Sequence, residues 1–327
     1  MERPPCELCG HPADPWLDIA RDVNRPRVER SYRLWWCRPC AYGQVWPRLT
    51  EQECAEAYQI DGYYTHGLGP VSHAASGGKA GVLVRALRHA AWHLDRGVWA
   101  LPIRDDRQLS VVDLGCGKAD QLAELAARGH RVVGVEPDPQ AVAVARSRGI
   151  EVHPGTAEHL PDGVARQRFD TALMMHSLEH CLRPLEALGS ARGILHDGGV
   201  LIVEVPNNSA GGLTLAGAAW RWLDVPRHLN FFTPRSLRLA LERAGFAVER
   251  TLFHSYARQF SAEWLADERS NRERLGVRST LARSEAAWCT ALLALTALAT
   301  KQRKYDSLRI VARRTGTAEA PPASPSA

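Results

Sequence analysis

The sequence predicts an α/β protein: a Rossmann-like sheet of seven strands with helices on both faces, preceded by a small N-terminal metal ribbon. Three observations predict it. Residues 110–138, SVVDLGCGKADQLAELAARGHRVVGVEPD, read strand, glycine turn, helix, strand and acidic tip in one run. Beyond them, short apolar strands alternate with segments of helical period, the pattern of a parallel sheet. Ahead of them stand two Cys-x-x-Cys pairs, the spacing of a four-thiolate site.

The chain has 327 residues, more than one ordinary domain needs, so a large domain with attachments is expected. At 45% hydrophobic and 24% charged residues it can bury a sizeable core, which excludes global disorder. A formal net charge of +5 is mild and does not by itself imply a nucleic-acid partner. The N-terminus, MERPPCELCG, lacks the apolar core of a signal peptide. The longest weakly polar run, 286–299, is too short to span a bilayer. Eight cysteines, four of them in Cys-x-x-Cys pairs, suit metal binding in a reducing cytoplasm better than secreted disulfides.

Residues 1–60 form the first unit. Cys6 and Cys9 (CELCGH) and Cys37 and Cys40 (CRPCAYG) each offer two thiolates from a tight turn, and together they complete a tetrahedral zinc site. Four thiolates leave no open position, so the zinc is structural. The competing redox dithiol would open a helix in a βαβ setting, which is absent here. His11 reads as a turn residue. Gly10 and Gly43 follow the knuckles, and Tyr32 to Trp36 reads as a strand leading into the second. Thr50 with Glu53 matches a capping box at the start of a short helix, followed by Tyr58, Tyr63 and Tyr64. In 61–109, a Gly/Ser/His-rich loop (66–78) is expected over the ligand site. A helix over 79–101 follows, with Val82, Leu83, Ala86, Leu87 and Ala90 at helical spacing, and then a charged linker.

In the central run, Val111, Val112 and Leu114 form a buried strand. Gly115 and Gly117 let the backbone turn tightly and approach a ligand. Leu122, Leu125 and Ala126 share one helix face, and Gly129 ends the helix. Glu136, about 20 residues beyond the turn, is placed to accept hydrogen bonds from two ribose hydroxyls. A dinucleotide fingerprint needs a third glycine where Asp120 stands, and a pyrophosphate would meet a carboxylate there. Asp113, at the strand tip, suits a cationic group such as an α-amino group. The D-x-G-x-G core of Asp113, Gly115 and Gly117, with Ala119 two positions on, resembles the glycine-rich motif of class I S-adenosylmethionine (SAM) methyltransferases. The zinc ribbon with its short helix and paired tyrosines resembles the N-terminal region of a subgroup that includes deoxysugar C-methyltransferases and enzymes of polysaccharide and natural-product clusters.

The remaining elements follow in order. A helix is expected over 139–149 and a third strand over 150–154. Residues 155–161 (GTAEHLP) resemble the family's adenine-side loop, which puts Ala157 and Glu158 on the adenine. The fourth strand, FDTALMMHS (169–177), leads into Leu178-Glu179-His180, and with Pro184 this again resembles the family. Strand tips face the ligand crevice, so Met175, His176, Glu179 and His180 should lie near the transferred methyl. Related ubiquinone-pathway O-methyltransferases often carry glutamate where this chain has His176, and paired acids with a histidine have been linked there to a metal. A helix is expected over 185–195, a stop and turn at 197–199, and the fifth strand over 200–205. The passage VPRHLNFFTPRSL resembles an acceptor-side segment, with His228, Phe231, Phe232, Thr233, Ser236 and Leu237 as the matches. Thr233 should cap a helix over 235–244 that opens on Pro234. The sixth strand spans 246–253 and the seventh 308–313, so the sheet domain is 110–254 with 305–315. The excursion 255–304 is charged in its first half and apolar in its second. The stretch 286–304 either lies on a membrane surface as a peripheral contact or packs into the core or against a second copy as a homodimer. The packing readings fit better because the run is continuous rather than one-sided. The Pro/Ala/Ser-rich tail, 316–327, reads as disordered.

The resemblance implies a SAM-dependent methyltransferase with structural zinc. Cofactor contacts fall to Asp113, Gly115, Cys116, Gly117, Glu136, Pro137, Ala157, Glu158 and Met175. His228, His176 and His180, in that order, are the candidate general bases. The acceptor is a small molecule or sugar-linked precursor, with a quinone-like or other aromatic acceptor as the second enzyme reading. A zinc-ribbon module binding RNA or protein is the third. Arg25, Arg27, Arg30, Arg33 and Arg38 with Trp35 and Trp36 support it, and Glu29 interrupts the run.

Overall fold

A computed structural model describes residues 3–25, 28–58, 81–279 and 284–316. Tyr63 and Tyr64, the loop 66–78, Arg27 and the tail from residue 317 lie outside the described residues. Contacts divide the chain into two units. One comprises 1–103, 205–236 and 252–309, and the other 104–204, 237–251 and 310–327. This partition crosses the sequence-based boundaries, because 205–236 and 252–309 group with the N-terminal residues.

The chain opens with three antiparallel strands, β1 (Asp14–Ile19), β2 (Tyr32–Cys37) and β3 (Tyr42–Val45). The two cysteine knuckles precede β1 and join β2 to β3. At the second knuckle the left-handed residue is Ala41 (φ 52°) rather than Gly43. Gly43 serves close packing instead: a Cβ there would lie 2.8 Å from the Trp16 ring and 3.0 Å from Phe231. Helix α1 (Glu51–Ala57) carries the capping box read from Thr50 and Glu53. Helix α2 spans Val82–Leu94, shorter than the 79–101 expected. It stops because the Asp95 carboxylate accepts the N–H groups of Gly97, Tyr256 and Ala257, drawing the backbone out of the helix.

The second unit is built by alternation. Strand β4 (Ser110–Leu114) feeds α3 (Asp120–Ala127), β5 (Arg131–Glu136), α4 (Pro139–Ser147), β6 (Val152–Pro154), the single turn α5 (Asp162–Ala165), β7 (Phe169–Met175), α6 (Pro184–Gly193) and β8 (Leu195–Pro206). Asp138 caps α4, with Pro139 at its first turn. Pairs β4–β5, β4–β7, β5–β6 and β7–β8 are parallel, so their C-terminal tips share one edge. The Asp197–Gly198–Gly199 stretch, expected to separate helix from strand, lies inside β8. It is a bulge: Phe169 pairs with Leu195, but Thr171 already pairs with Val200. Gly198, at φ 72°, supplies the left-handed residue.

The later chain supplies α7 (Gly211–Ala216), β9 (Asn230–Phe231), α8 (Pro234–Arg243), β10 (Phe246–His254), α9 (Ala262–Leu275), α10 (Glu285–Thr296), the turn α11 (Lys301–Lys304) and β11 (Ser307–Arg314). Thr233 caps α8 as expected, accepting the Ser236 N–H at 3.2 Å. The larger sheet has the order β10-β11-β8-β7-β4-β5-β6, which inserts the last strand between the fifth and sixth. It is the seven-stranded α/β sheet expected from the sequence. β9 joins the smaller sheet, whose order is β1-β2-β3-β9. The apolar run of the excursion becomes α10, which buries Trp288, Cys289, Leu292 and Thr296 and packs against α2 and α7. Gly211 allows that approach, since a Cβ there would lie 2.7 Å from Thr296 Cγ2. Among the described residues no helix is long and apolar enough to cross a membrane.

Candidate functional site

The tips of β4, β5 and β7 bring the nucleotide-side residues together. Asp113 is buried and its Oδ1 has no hydrogen-bond partner among the described residues. Burial first, and then the neighbouring Glu136 carboxylate, push its pKa up to about 8. A buried carboxylate with an unmatched oxygen is a cost unless a cation or donor completes it. Gly115 (φ 89°) and Gly117 (φ 53°) make the turn, and the N–H groups of Gly115 and Cys116 donate to Val135 O. A Cβ on Gly115 would lie 2.5 Å from Ser177 Cβ, so only glycine lets β4 turn beside β7.

Glu136 is held by two backbone donors, Gly117 N–H at 2.8 Å and Asp138 N–H at 2.9 Å, one on each carboxylate oxygen. This fixes the carboxylate at the rim of the turn, with further lone pairs for ligand hydroxyls. Burial nevertheless raises its pKa above the usual carboxylate range. The Cys116 side chain packs with Ala119, Leu122, Val142 and Val152 in a core cluster, and its thiol lies 3.6 Å from Gly117 O in the turn. Pro137 is exposed just past the β5 tip, Ala157 is buried, and Glu158 accepts the Arg183 N–H at 3.4 Å.

At the β7 tip Met175 is half-buried and His176 takes a left-handed backbone (φ 54°). The His176 ring lies between two buried carboxylates, with Nδ1 3.3 Å from Glu179 Oε1 and Nε2 3.0 Å from Glu204 Oε1. Burial lowers its pKa, but the two glutamates outweigh that and push it up to about 9. At neutral pH His176 is therefore an imidazolium with no lone pair, a proton holder rather than the ready base expected. His180 is half-buried at the end of a 3-10 turn, 178–180. Two residues here escaped the sequence reading. Ser177 is buried with no partner for its hydroxyl among the described residues, and it stands two residues past the end of β7. Glu204 is a lone acid in the apolar strand LIVEVP, which is itself a signal.

His228 belongs to the other unit. Its Nδ1 lies 2.7 Å from Trp222 O, and its ring stacks on the Trp222 indole at 18°. A carbonyl only accepts, so Nδ1 meets it as an N–H donor. In the same unit the sulfurs of Cys6, Cys9, Cys37 and Cys40 lie within 4.8 Å of one another. Zinc–sulfur bonds of about 2.3 Å in a tetrahedron place sulfurs about 3.8 Å apart, so the cluster fits one ion. Burial lifts the Cys6 thiol to about 12. At Cys9 burial also pushes upward, but hydrogen bonds from Cys40, the His11 backbone and Cys37 bring it down to about 7.

Known proteins give this geometry a family. A family model described as a methyltransferase domain matches residues 86–251. The ubiquinone biosynthesis O-methyltransferase of Azorhizobium caulinodans is 32% identical over 51% of this chain and 66% of its own length. Its counterpart in Cereibacter sphaeroides is 33% identical over 42% of this chain and 60% of its own. The chain thus spans less than two thirds of these curated relatives. Among solved structures, a SAM-dependent methyltransferase from Thermotoga maritima aligns at 20% identity over 71% of this chain and 89% of that one, with a TM-score of 0.43, a likeness that carries no functional weight. The family model, matched over half the chain, and the glycine turn between Asp113 and Glu136 agree: this chain belongs to the class I SAM-dependent methyltransferase-domain family.

Proposed function

We propose that this chain transfers a methyl group from SAM to a small-molecule acceptor, and that the acceptor is of sugar type. One observation carries the cofactor half: the buried Asp113 carboxylate with an unmatched oxygen beside the glycine turn. An α-amino group completes that oxygen, and Glu136 takes the ribose hydroxyls. SAM supplies an already activated methyl when bound, so the protein's task is to align the acceptor, exclude water and receive the acceptor's proton. His228 suits the proton, because its Nδ1–H is committed to Trp222 O and its ring is fixed by stacking. His176, charged between Glu179 and Glu204, suits an electrostatic role. The four-cysteine unit supports the sugar-type acceptor, and we assign structural zinc to Cys6, Cys9, Cys37 and Cys40. A quinone-like phenolic acceptor is the second reading, favoured by the relatives' name of ubiquinone biosynthesis O-methyltransferase.

The test is calorimetry with SAM and S-adenosylhomocysteine on the wild type, Asp113→Ala and Glu136→Ala, with zinc assayed on the same samples. The expected result is wild-type binding, loss of at least about tenfold in affinity in each variant, and about one zinc per chain. Nucleotide sugars and lipophilic phenols are then offered with SAM, and the product is read by its gain of one methyl in mass. Folded, zinc-loaded protein that binds neither SAM nor its demethylated product would sink the enzyme reading.

A further inference from the structure

The second cysteine knuckle is built into the segment that carries His228. β3 begins two residues after Cys40 and pairs with β9, Gly43 opposite Phe231 and Gln44 opposite Asn230. Side chains reinforce that pairing. The Asn230 Oδ1 accepts from the Tyr42 hydroxyl at 2.5 Å and from Arg48 Nη2 at 2.8 Å. Leu229 O accepts from Arg48 Nη1 at 2.9 Å and from Val45 N–H at 3.0 Å. Thr233, the cap of α8, donates its hydroxyl to Ala41 O at 2.8 Å, inside the knuckle turn itself. The Tyr42 ring lies 5.3 Å from the Phe232 ring. Tyr42, Gln44, Asn230, Phe231, Phe232 and Thr233 are all buried. In sequence these two stretches lie far apart, and β9, two residues long, has too few ladder bonds to hold itself.

We infer that the zinc knuckle is the clamp that positions the acceptor-side segment 228–233, with Tyr42 and Arg48 as positioning residues acting through Asn230. Zinc closes the Cys37–Cys40 turn, the turn sets the start of β3, and β3 sets β9 with its neighbour His228. The zinc would then control acceptor binding without touching the SAM turn. The inference rests on the methyltransferase reading only for the word acceptor, since the clamp itself is a statement about residues 37–48 and 228–233.

Hydrogen exchange read by mass spectrometry on the full chain tests it, with S-adenosylhomocysteine calorimetry on the same samples. Zinc stripped by a chelator should speed exchange in 229–233 by about tenfold or more, while affinity for S-adenosylhomocysteine moves less than about twofold. Arg48→Ala and Asn230→Ala should do the same with zinc still bound. Asn230→Asp keeps the acceptor oxygen for Tyr42 and Arg48, and should restore protection. Zinc-free protein with unchanged exchange in 229–233 overturns the clamp, and so does an Asn230→Ala variant as protected as the wild type. Wild-type protein that fails to bind S-adenosylhomocysteine would sink the methyltransferase reading, leaving the exchange comparison to decide the clamp by itself.

Discussion

Asp113 shows what one buried carboxylate would contribute to the proposed cofactor site. Its pKa in the ligand-free site is pushed up to about 8 by burial and by Glu136. In the unfolded chain it is about 3.9. A carboxyl raised in this way favours the folded state most below its unfolded pKa, and that contribution is lost as pH rises through about 8. A cationic ligand group needs the ionised form, so binding below pH 8 must first expel a proton. Affinity for S-adenosylhomocysteine should therefore rise with pH up to about 8, by at most about tenfold per unit. Calorimetry in buffers of different ionisation enthalpy should report proton release near neutrality. Asp113→Asn should bind weakly with no such pH dependence, and an unchanged pH slope in that variant would place the proton elsewhere. Asp113, Gly115, Gly117 and Glu136 were legible in the sequence because one βαβ run brings them together. Glu204 and Ser177 were not, because their roles depend on which strands lie side by side and which side chains remain unmatched.

The elements were legible where local chemistry dictates them and obscure where distant partners do. Capping at Thr50 and Thr233 was readable from the residues that perform it. The end of α2 at Asp95 and the β8 bulge at Gly198 were not, since each is set by chain remote in sequence. The glycine turn separates two causes of strain. Gly115 and Gly129 share nearly the same backbone angle, φ 89° and 90°, but a Cβ on Gly129 meets nothing within 4 Å, while one on Gly115 meets Ser177 at 2.5 Å. Gly129→Ala should cost about 1–2 kcal/mol of stability through the left-handed backbone alone, and leave affinity for S-adenosylhomocysteine within about twofold. Gly115→Ala should lose that affinity by more than about tenfold, because the turn must move away from β7. Thermal melts with calorimetry on both variants check this, and equal losses would assign the effect to backbone strain rather than crowding.

The smaller sheet is assembled from residues 14–45 and from Asn230–Phe231, far along the sequence, which no local reading of β9 could reveal. The molecule also disposes of its positive charge locally. The arginines that kept a nucleic-acid reading open are largely engaged: Arg33 with Asp18 at 2.6 Å, Arg38 with Asp14 at 3.0 Å, Arg30 with Glu53 at 2.6 Å, and Arg25 on Glu56 O. Arg3 shares the Asp14 carboxylate. Such exposed pairs add little stability. They do mean that a phosphate competes with a carboxylate at Arg30, Arg33 and Arg38, so the pairing weakens a polyanion site more than it strengthens the fold. Affinity for a single-stranded RNA should then fall only gently with salt. Each phosphate contact contributes about −0.7 to the slope of log affinity against log salt, so two residual contacts give about −1.4. Fluorescence anisotropy across a salt series measures that slope. A value near about −3.5, five contacts' worth, would show the arginine face engaging nucleic acid as a unit and would shift the acceptor search from small molecules toward RNA.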